Sequence, residues 1–244
     1  MNYSSIDVRP KSGSVGAEIL GVNLNKDISS KQFNEIKLAF GQFGVIFFRD
    51  QNLTPDKEIE FAEKWGKINV NRFFTNVDGY PKIAMVLKEA DQRKNIGGAW
   101  HTDHTYDVEP AMGSILFAHE VPQKGGDTMF ASMYSAYENL SKGLKKTLNG
   151  MKARHSSKHV FGKDRANRND DTVGRIRNPE AAIQDVVHPV IIKHPETGRK
   201  ALYVNPTFTL GFDGWTDAES KPLLEYLYEH ATRPEFTCRF EWKP

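Results

Sequence analysis

The chain has 244 residues, 39% of them hydrophobic and 26% charged, with a formal net charge of +2. That is the balance of a globular domain with a sizeable core, and it excludes a disordered tail protein and a nucleic-acid binder. No apolar run approaches bilayer length and no basic-then-apolar leader opens the sequence, so no membrane partner and a cytoplasmic location are expected, while the single cysteine, Cys238, leaves metal chemistry to His and carboxylates.

In chain order, residues 13–22 predict a short strand and turn. Ser29 and Gln32 have capping-box spacing, and Phe33, Ile36, Phe40 and Phe43 recur at helical intervals up to a stop at Gly44. The β-branched and aromatic run Val45-Ile46-Phe47-Phe48-Arg49 then reads as a buried strand. Thr54 followed by Pro55 starts a second helix, with Ile59, Ala62 and Trp65 facing inward and Gly66 ending it. Short strands are expected at 83–87 and 114–118, and Gly125-Gly126-Asp127 marks a tight turn before Thr128-Met129-Phe130. Helices follow at 134–139 and from about Ser141 to Gly150.

Residues 152–182 are polar and weakly periodic, and 152–177 hold eight Lys or Arg against three Asp. That stretch is either a solvated surface loop or a basic lid that draws in an anionic substrate. The apolar runs 187–193 and 200–205 flank Pro195-Glu196-Thr197-Gly198 as a β-hairpin. Thr216 and Glu219 cap a late helix carrying Leu223, Leu224, Leu227 and His230, and 236–242 alternates as a strand does. Short strands with helices outside them predict one α+β domain over 1–244, built on a sandwich or jelly roll.

The chemistry concentrates at Trp100-His101-Thr102-Asp103. On a strand, residues two apart share a face, so His101 and Asp103 can hold one metal ion. Completed by a second His, an imidazole and a carboxylate make the facial set that leaves positions open on iron(II) for 2-oxoglutarate and dioxygen. A lone His-x-Asp is common, and its plain alternative is a surface turn.

The surrounding text is more specific. Trp100-His101-Thr102-Asp103-His104-Thr105-Tyr106, then Pro110, then Gly125-Gly126-Asp127-Thr128, resembles the taurine dioxygenase (TauD/TfdA) family. The similarity extends to Gly16-Ala17-Glu18-Ile19, the strand after Gly44, the hairpin beginning His188-Pro189-Val190 and the Thr216 helix. This resemblance implies a double-stranded β-helix (jelly roll) core with flanking helices. It also implies an iron(II)- and 2-oxoglutarate-dependent dioxygenase that uses O2 on a small-molecule substrate. His101 and Asp103 become catalytic iron ligands, and Thr128 a hydrogen-bond partner of the distal 2-oxoglutarate carboxylate. Phe208 occupies the place of an aromatic pocket residue, and Tyr106 lines the same pocket. Residues 69–74 correspond to part of the region that holds the sulfonate in taurine-specific members, with Asn71 as the substrate candidate. Gly97 stands near where those members carry an Asn, which disfavours taurine. Arg72 and the basic stretch favour another sulfonate, a sulfate ester or a carboxylate.

In the family a late-strand His completes the iron site, and an Arg soon after it pairs with 2-oxoglutarate. Neither is present, and 240–244 resembles the stretch leading to that His, so the resemblance implies a chain truncated there, with the final strands missing. His155, His159, His188, His194 and His230 are expected to be ordinary hydrogen-bonded side chains and not substitutes. Two rivals remain: a non-catalytic jelly-roll binding protein and a metal-dependent hydrolase. Homo-oligomerisation is left open.

Overall fold

The computed structural model describes residues 3–166, 172 and 174–243. Strands β1 (Asp7–Pro10) and β2 (Ala17–Leu20) pair antiparallel, with Val8 opposite Ile19. Parallel neighbours need a crossover, and helix α1 (Ser30–Phe43) carries the chain from β2 to the parallel strand β3 (Ile46–Phe48). The Ser29–Gln32 capping box is formed in both directions, and Gly44 closes the helix at φ 74°, its amide donating to the Phe40 carbonyl. Helix α2 (Pro55–Trp65) is capped by Thr54 and buries Phe61 most deeply, with Trp65 half-buried against Phe33 and Phe40. Ile19, Ile36, Ala39, Leu53 and Phe61 form the core of this N-terminal layer.

A hairpin of β4 (Thr75–Val77) and β5 (Tyr80–Met85) comes next, followed after a long irregular stretch by β6 (Thr128–Ala131), α3 (Met133–Glu138) and α4 (Lys142–Leu148). Then come β7 (Lys152–Ser156), the short helices α5 (Lys158–Phe161) and α6 (Lys163–Ala166), β8 (Asp185–Pro189), β9 (Ile191–Lys193) and β10 (Lys200–Leu202). The described chain ends with β11 (Thr209–Phe212), α7 (Asp217–Ala231) and β12 (Thr237–Phe240). β7 lies between β8 and β11, antiparallel to both; β9 and β10 form the expected hairpin; β12 pairs with β6, placing Phe240 opposite Thr128. Leu148, Leu202, Phe212 and Leu227 pack fully buried between these strands and α3, α4 and α7. Small, mostly antiparallel sheets with helices outside give the α+β jelly-roll class expected.

Three expectations are corrected. The polar excursion starts later than 152, because Lys152–Ser156 is the central strand of a sheet: Ala153, His155 and Ser156 are buried, a pattern hidden by the charged residues at 152 and 154. Of its basic residues, Lys158 pairs with Asp185 and Arg154 with Asp217; Arg168 lies outside the described residues. The strand expected at 114–118 does not form, since no strand among the described residues offers it a ladder. Ile115 and Leu116 are exposed, and Phe117 alone packs on the N-terminal core. The third correction concerns the site itself.

Candidate metal centre

Residues 100–107 form no strand. They make an irregular approach followed by a turn at 103–106, in which the His104 carbonyl accepts the Asp107 amide. Side-chain alternation therefore does not bring His101 and Asp103 together; the turn does, placing His101 Nε2 3.2 Å from Asp103 Oδ1. The tightness of the turn is visible at His104, whose φ of 59° is a left-handed value unusual for a side-chain-bearing residue.

Each group is held from behind. His101 Nδ1 donates to the Ala99 carbonyl at 2.7 Å, which keeps a proton on Nδ1 and turns Nε2 toward the carboxylate. Asp103 Oδ2 accepts from the Ser114 hydroxyl at 2.8 Å, so Oδ1 is the oxygen turned to the imidazole. The hydrogen bond to Asp103 raises the His101 pKa against the opposing effect of burial, and the His101 contact, helped by Ser114, lowers that of Asp103. Two acceptors oriented at one point bind either a shared proton or a cation, and an imidazole with its far nitrogen tied to a carbonyl is the usual arrangement of a metal-ligating His. The donor set fits a divalent metal to the extent of two protein ligands. Among the described residues no third His, Cys, Asp or Glu converges with them.

The other histidines are engaged elsewhere, as expected. His159 donates to the Thr207 carbonyl, His188 to that of Asp107 and His230 to that of Ala136, while His194 Nδ1 accepts the Glu196 and Thr197 amides. His155 is fully buried with its Nε2 unpartnered, and burial pushes its pKa down to about 4.

An aromatic wall stands beside His101 and Asp103. The Phe208 ring lies edge-on to His101 at 6.3 Å and to Tyr106 at 4.8 Å, and Phe73, Phe161 and Ala182 complete the cluster. Tyr106 and Phe208 are each 3% exposed and belong to the core. Burial pushes the Tyr106 hydroxyl pKa strongly up and keeps it neutral. Gly97 lies against His101, where a Cβ would come 3.4 Å from the ring.

Thr128 opens β6, and its Oγ1 accepts from Trp242 Nε1 at 2.9 Å, which leaves the hydroxyl proton free to donate. Asn71 uses its side-chain oxygen on the Phe73 and Phe74 amides, as a turn-forming Asn does, and among the described residues no hydrogen bond links it to His101 or Asp103. Arg72, expected as an anion partner, is instead ion-paired with Asp107. Sequence reasoning missed Ala99, Ser114, Trp242 and Asp107. Only Asp107 left a signal, its spacing from His104, which suits a side-chain-closed turn.

A histidine–carboxylate pair on a turn, an aromatic wall and small antiparallel sheets with helices outside place the chain in the jelly-roll dioxygenase class. The chain belongs to the family described as "Taurine catabolism dioxygenase TauD, TfdA family", whose model matches residues 7–244. That is a family of 2-oxoglutarate-dependent dioxygenases. The chain is 33% identical to an alkylsulfatase of Acinetobacter baylyi, over 98% of its own length and 74% of the relative's. It is 28% identical to an alpha-ketoglutarate-dependent sulfonate dioxygenase of Saccharomyces cerevisiae, spanning 60% of that protein. Among solved structures, a putative alpha-ketoglutarate-dependent taurine dioxygenase from Burkholderia xenovorans superposes with a TM-score of 0.82 at 35% identity, covering 98% of this chain and 80% of that one.

Proposed function

We propose that the protein uses Fe(II), 2-oxoglutarate and O2 to hydroxylate a small anionic substrate, a sulfonate, sulfate ester or carboxylate, with release of succinate and CO2. The observation that carries this reading is the convergence of His101 Nε2 and Asp103 Oδ1, with the far imidazole nitrogen tied to Ala99. When bound, iron supplies the oxidising power that no side chain has. His101 and Asp103 would hold it.

The remaining roles belong to the surrounding residues. Ala99 and Ser114 keep the two donor atoms aimed at one point. Thr128, which accepts from Trp242 and keeps its hydroxyl proton to give, would donate to the distal carboxylate of 2-oxoglutarate. Phe208 and Tyr106 exclude water from the side of the site they cover. Asn71 is the weakest of the proposed substrate residues, because its carbonyl oxygen is already engaged.

With Arg72 neutralised, the better cation for an anionic substrate is Arg175. Its guanidinium donates to the Leu87 and Lys94 carbonyls, and among the described residues no carboxylate pairs with it. It lines a pocket of about 140 Å³ with Phe74, Met85, Leu87 and Ile96, and Ile96 adjoins the Gly97 that backs His101. The kinship to an alkylsulfatase and a sulfonate dioxygenase supports an anionic head with an organic tail.

Anaerobic titration with Fe(II) and then 2-oxoglutarate tests the reading. A visible charge-transfer band that is absent from His101→Ala and Asp103→Ala is expected. A band of equal strength in those variants would remove the iron assignment.

A further inference from the structure

The turn that carries Asp103 is held at Thr105, which accepts from Asn205 Nδ2, at Asp103, which accepts from Ser114, and most heavily at the residue that follows the turn, Asp107. Its carboxylate accepts His104 Nδ1–H at 2.8 Å on Oδ2 and pairs with Arg72 on Oδ1, while its main-chain carbonyl accepts His188 Nε2–H at 2.9 Å. The three donors come from the turn itself, from the segment before β4 and from β8. The His104 and Asp107 side chains are only 11% and 12% exposed, so these charge-assisted bonds are poorly screened. Arg72 is itself anchored: Asn178 Nδ2 donates to its carbonyl, and its guanidinium packs near the rings of Phe73 and Tyr106.

His104 follows Asp103 directly and holds a left-handed conformation that is disfavoured for a residue with a Cβ. With the Trp100 carbonyl held by the Thr207 hydroxyl and Thr105 held by Asn205, an extended or helical conformation at residue 104 would have to be absorbed by residues 101–103, displacing the Asp103 carboxylate from His101. The bond from the His104 side chain to Asp107 closes the turn in the conformation that keeps the two donors 3.2 Å apart. We infer that Asp107, with Arg72 and His104, is a positioning device that sets the pose of the Asp103 carboxylate before metal arrives. Asp107 touches no substrate or metal in this role. The inference rests on the proposed metal site.

The test is Mn(II) affinity by electron paramagnetic resonance, alongside thermal unfolding, for wild type, Asp107→Asn, Arg72→Met and the Arg72→Met/Asp107→Asn double variant. A His101→Ala/Asp103→Ala protein supplies the baseline. Asp107→Asn keeps the shape but puts an amide against one of two donors, and should weaken Mn(II) by about tenfold or more, the loss usual for an outer partner of a metal ligand. The double variant should be no worse than Asp107→Asn alone, because both cut the same network. Should Asp107→Asn fail to fold, His104→Asn against His104→Val decides. Asn tolerates the left-handed conformation and Val does not, so the Asn variant must bind Mn(II) more tightly. Wild-type binding with Asp107→Asn within about twofold of it, or equal affinity in the two His104 variants, overturns the positioning role alone. Wild-type binding no tighter than the baseline overturns the metal site, and the positioning role with it.

Discussion

His101 and His155 carry the same ring into opposite situations. His101 sits on an irregular turn with its side chain 29% exposed, one ring nitrogen on a carbonyl and the other facing a carboxylate. His155 lies on the central strand of a sheet, fully buried, with one nitrogen 3.3 Å from the Thr209 hydroxyl and the other unpartnered. Asp103 pulls the first pKa up, while desolvation, aided by His188, drives the second down to about 4. A carboxylate makes a histidine a cation site, whereas burial beside another imidazole with no carboxylate partner makes it a neutral core residue. The comparison predicts that one position serves metal binding and the other serves stability.

Crossed substitutions put the largest effects on that separation. His101→Ala should lose more than about a hundredfold in metal affinity, beyond the range seen for outer-shell partners, while shifting stability little because the side chain is partly solvated. His155→Ala should do the reverse, costing about 2–4 kcal/mol in unfolding free energy through the cavity it leaves and sparing metal affinity. Denaturant unfolding paired with metal titration of the same two proteins reads both quantities. Equal losses of affinity in the two variants would dissolve the comparison.

Stability against pH sharpens it. The unfolded chain protonates His155 near the ordinary 6.5 and the folded protein only near 4, so the unfolded state binds more protons between those values. Stability contributed by neutral His155 is therefore complete above about 6.5 and is lost as pH falls toward 4, by about 3 kcal/mol. Glu35, held down at about 2 by the Ser5 and Ser4 amides, loses its contribution only below its ordinary 4.5, which leaves the upper part of the window to histidine. His101 has the opposite sign in the metal-free protein: its contribution is present below its ordinary value and lost as pH rises through the raised one. Unfolding midpoints from pH 7 to pH 5 should fall in wild type and stay flatter in His155→Leu. A parallel decline in both proteins would assign the slope elsewhere.

The sequence separated these two regions unequally. The N-terminal layer was legible because its signals are local: a capping box at Ser29 and Gln32, a stop at Gly44, a β-branched run after it. The His101–Asp103 pair was legible as residue types at a spacing, yet its geometry was misread, because the turn is held through Asp107 by Arg72 and His188, residues distant in the chain. His155 carried no warning at all. Arg154 and Lys152 beside it suggested a surface loop, and only the pairing of β7 with β8 and β11 reveals a buried strand. Local propensity reports caps and turns, whereas burial of a short charged strand depends on what folds over it.

The smallest of these effects concerns Ser114, a residue without any sequence signal. Its hydroxyl bonds the Asp103 oxygen that does not face His101, and it stands on a segment whose neighbours Ile115 and Leu116 are exposed. That bond helps lower the Asp103 pKa and orients the carboxylate, but the carboxylate also has water within reach, being 53% exposed on its side chain. Water can replace the serine hydroxyl as a donor though not its fixed direction. Ser114→Ala should thus weaken metal binding by about tenfold at most, toward the lower end for an outer-shell partner, and leave the unfolding midpoint unchanged. A loss as large as that of Asp103→Ala would mean that Ser114 governs the pose of the carboxylate more firmly than the turn does; no loss would mean that the turn alone holds it.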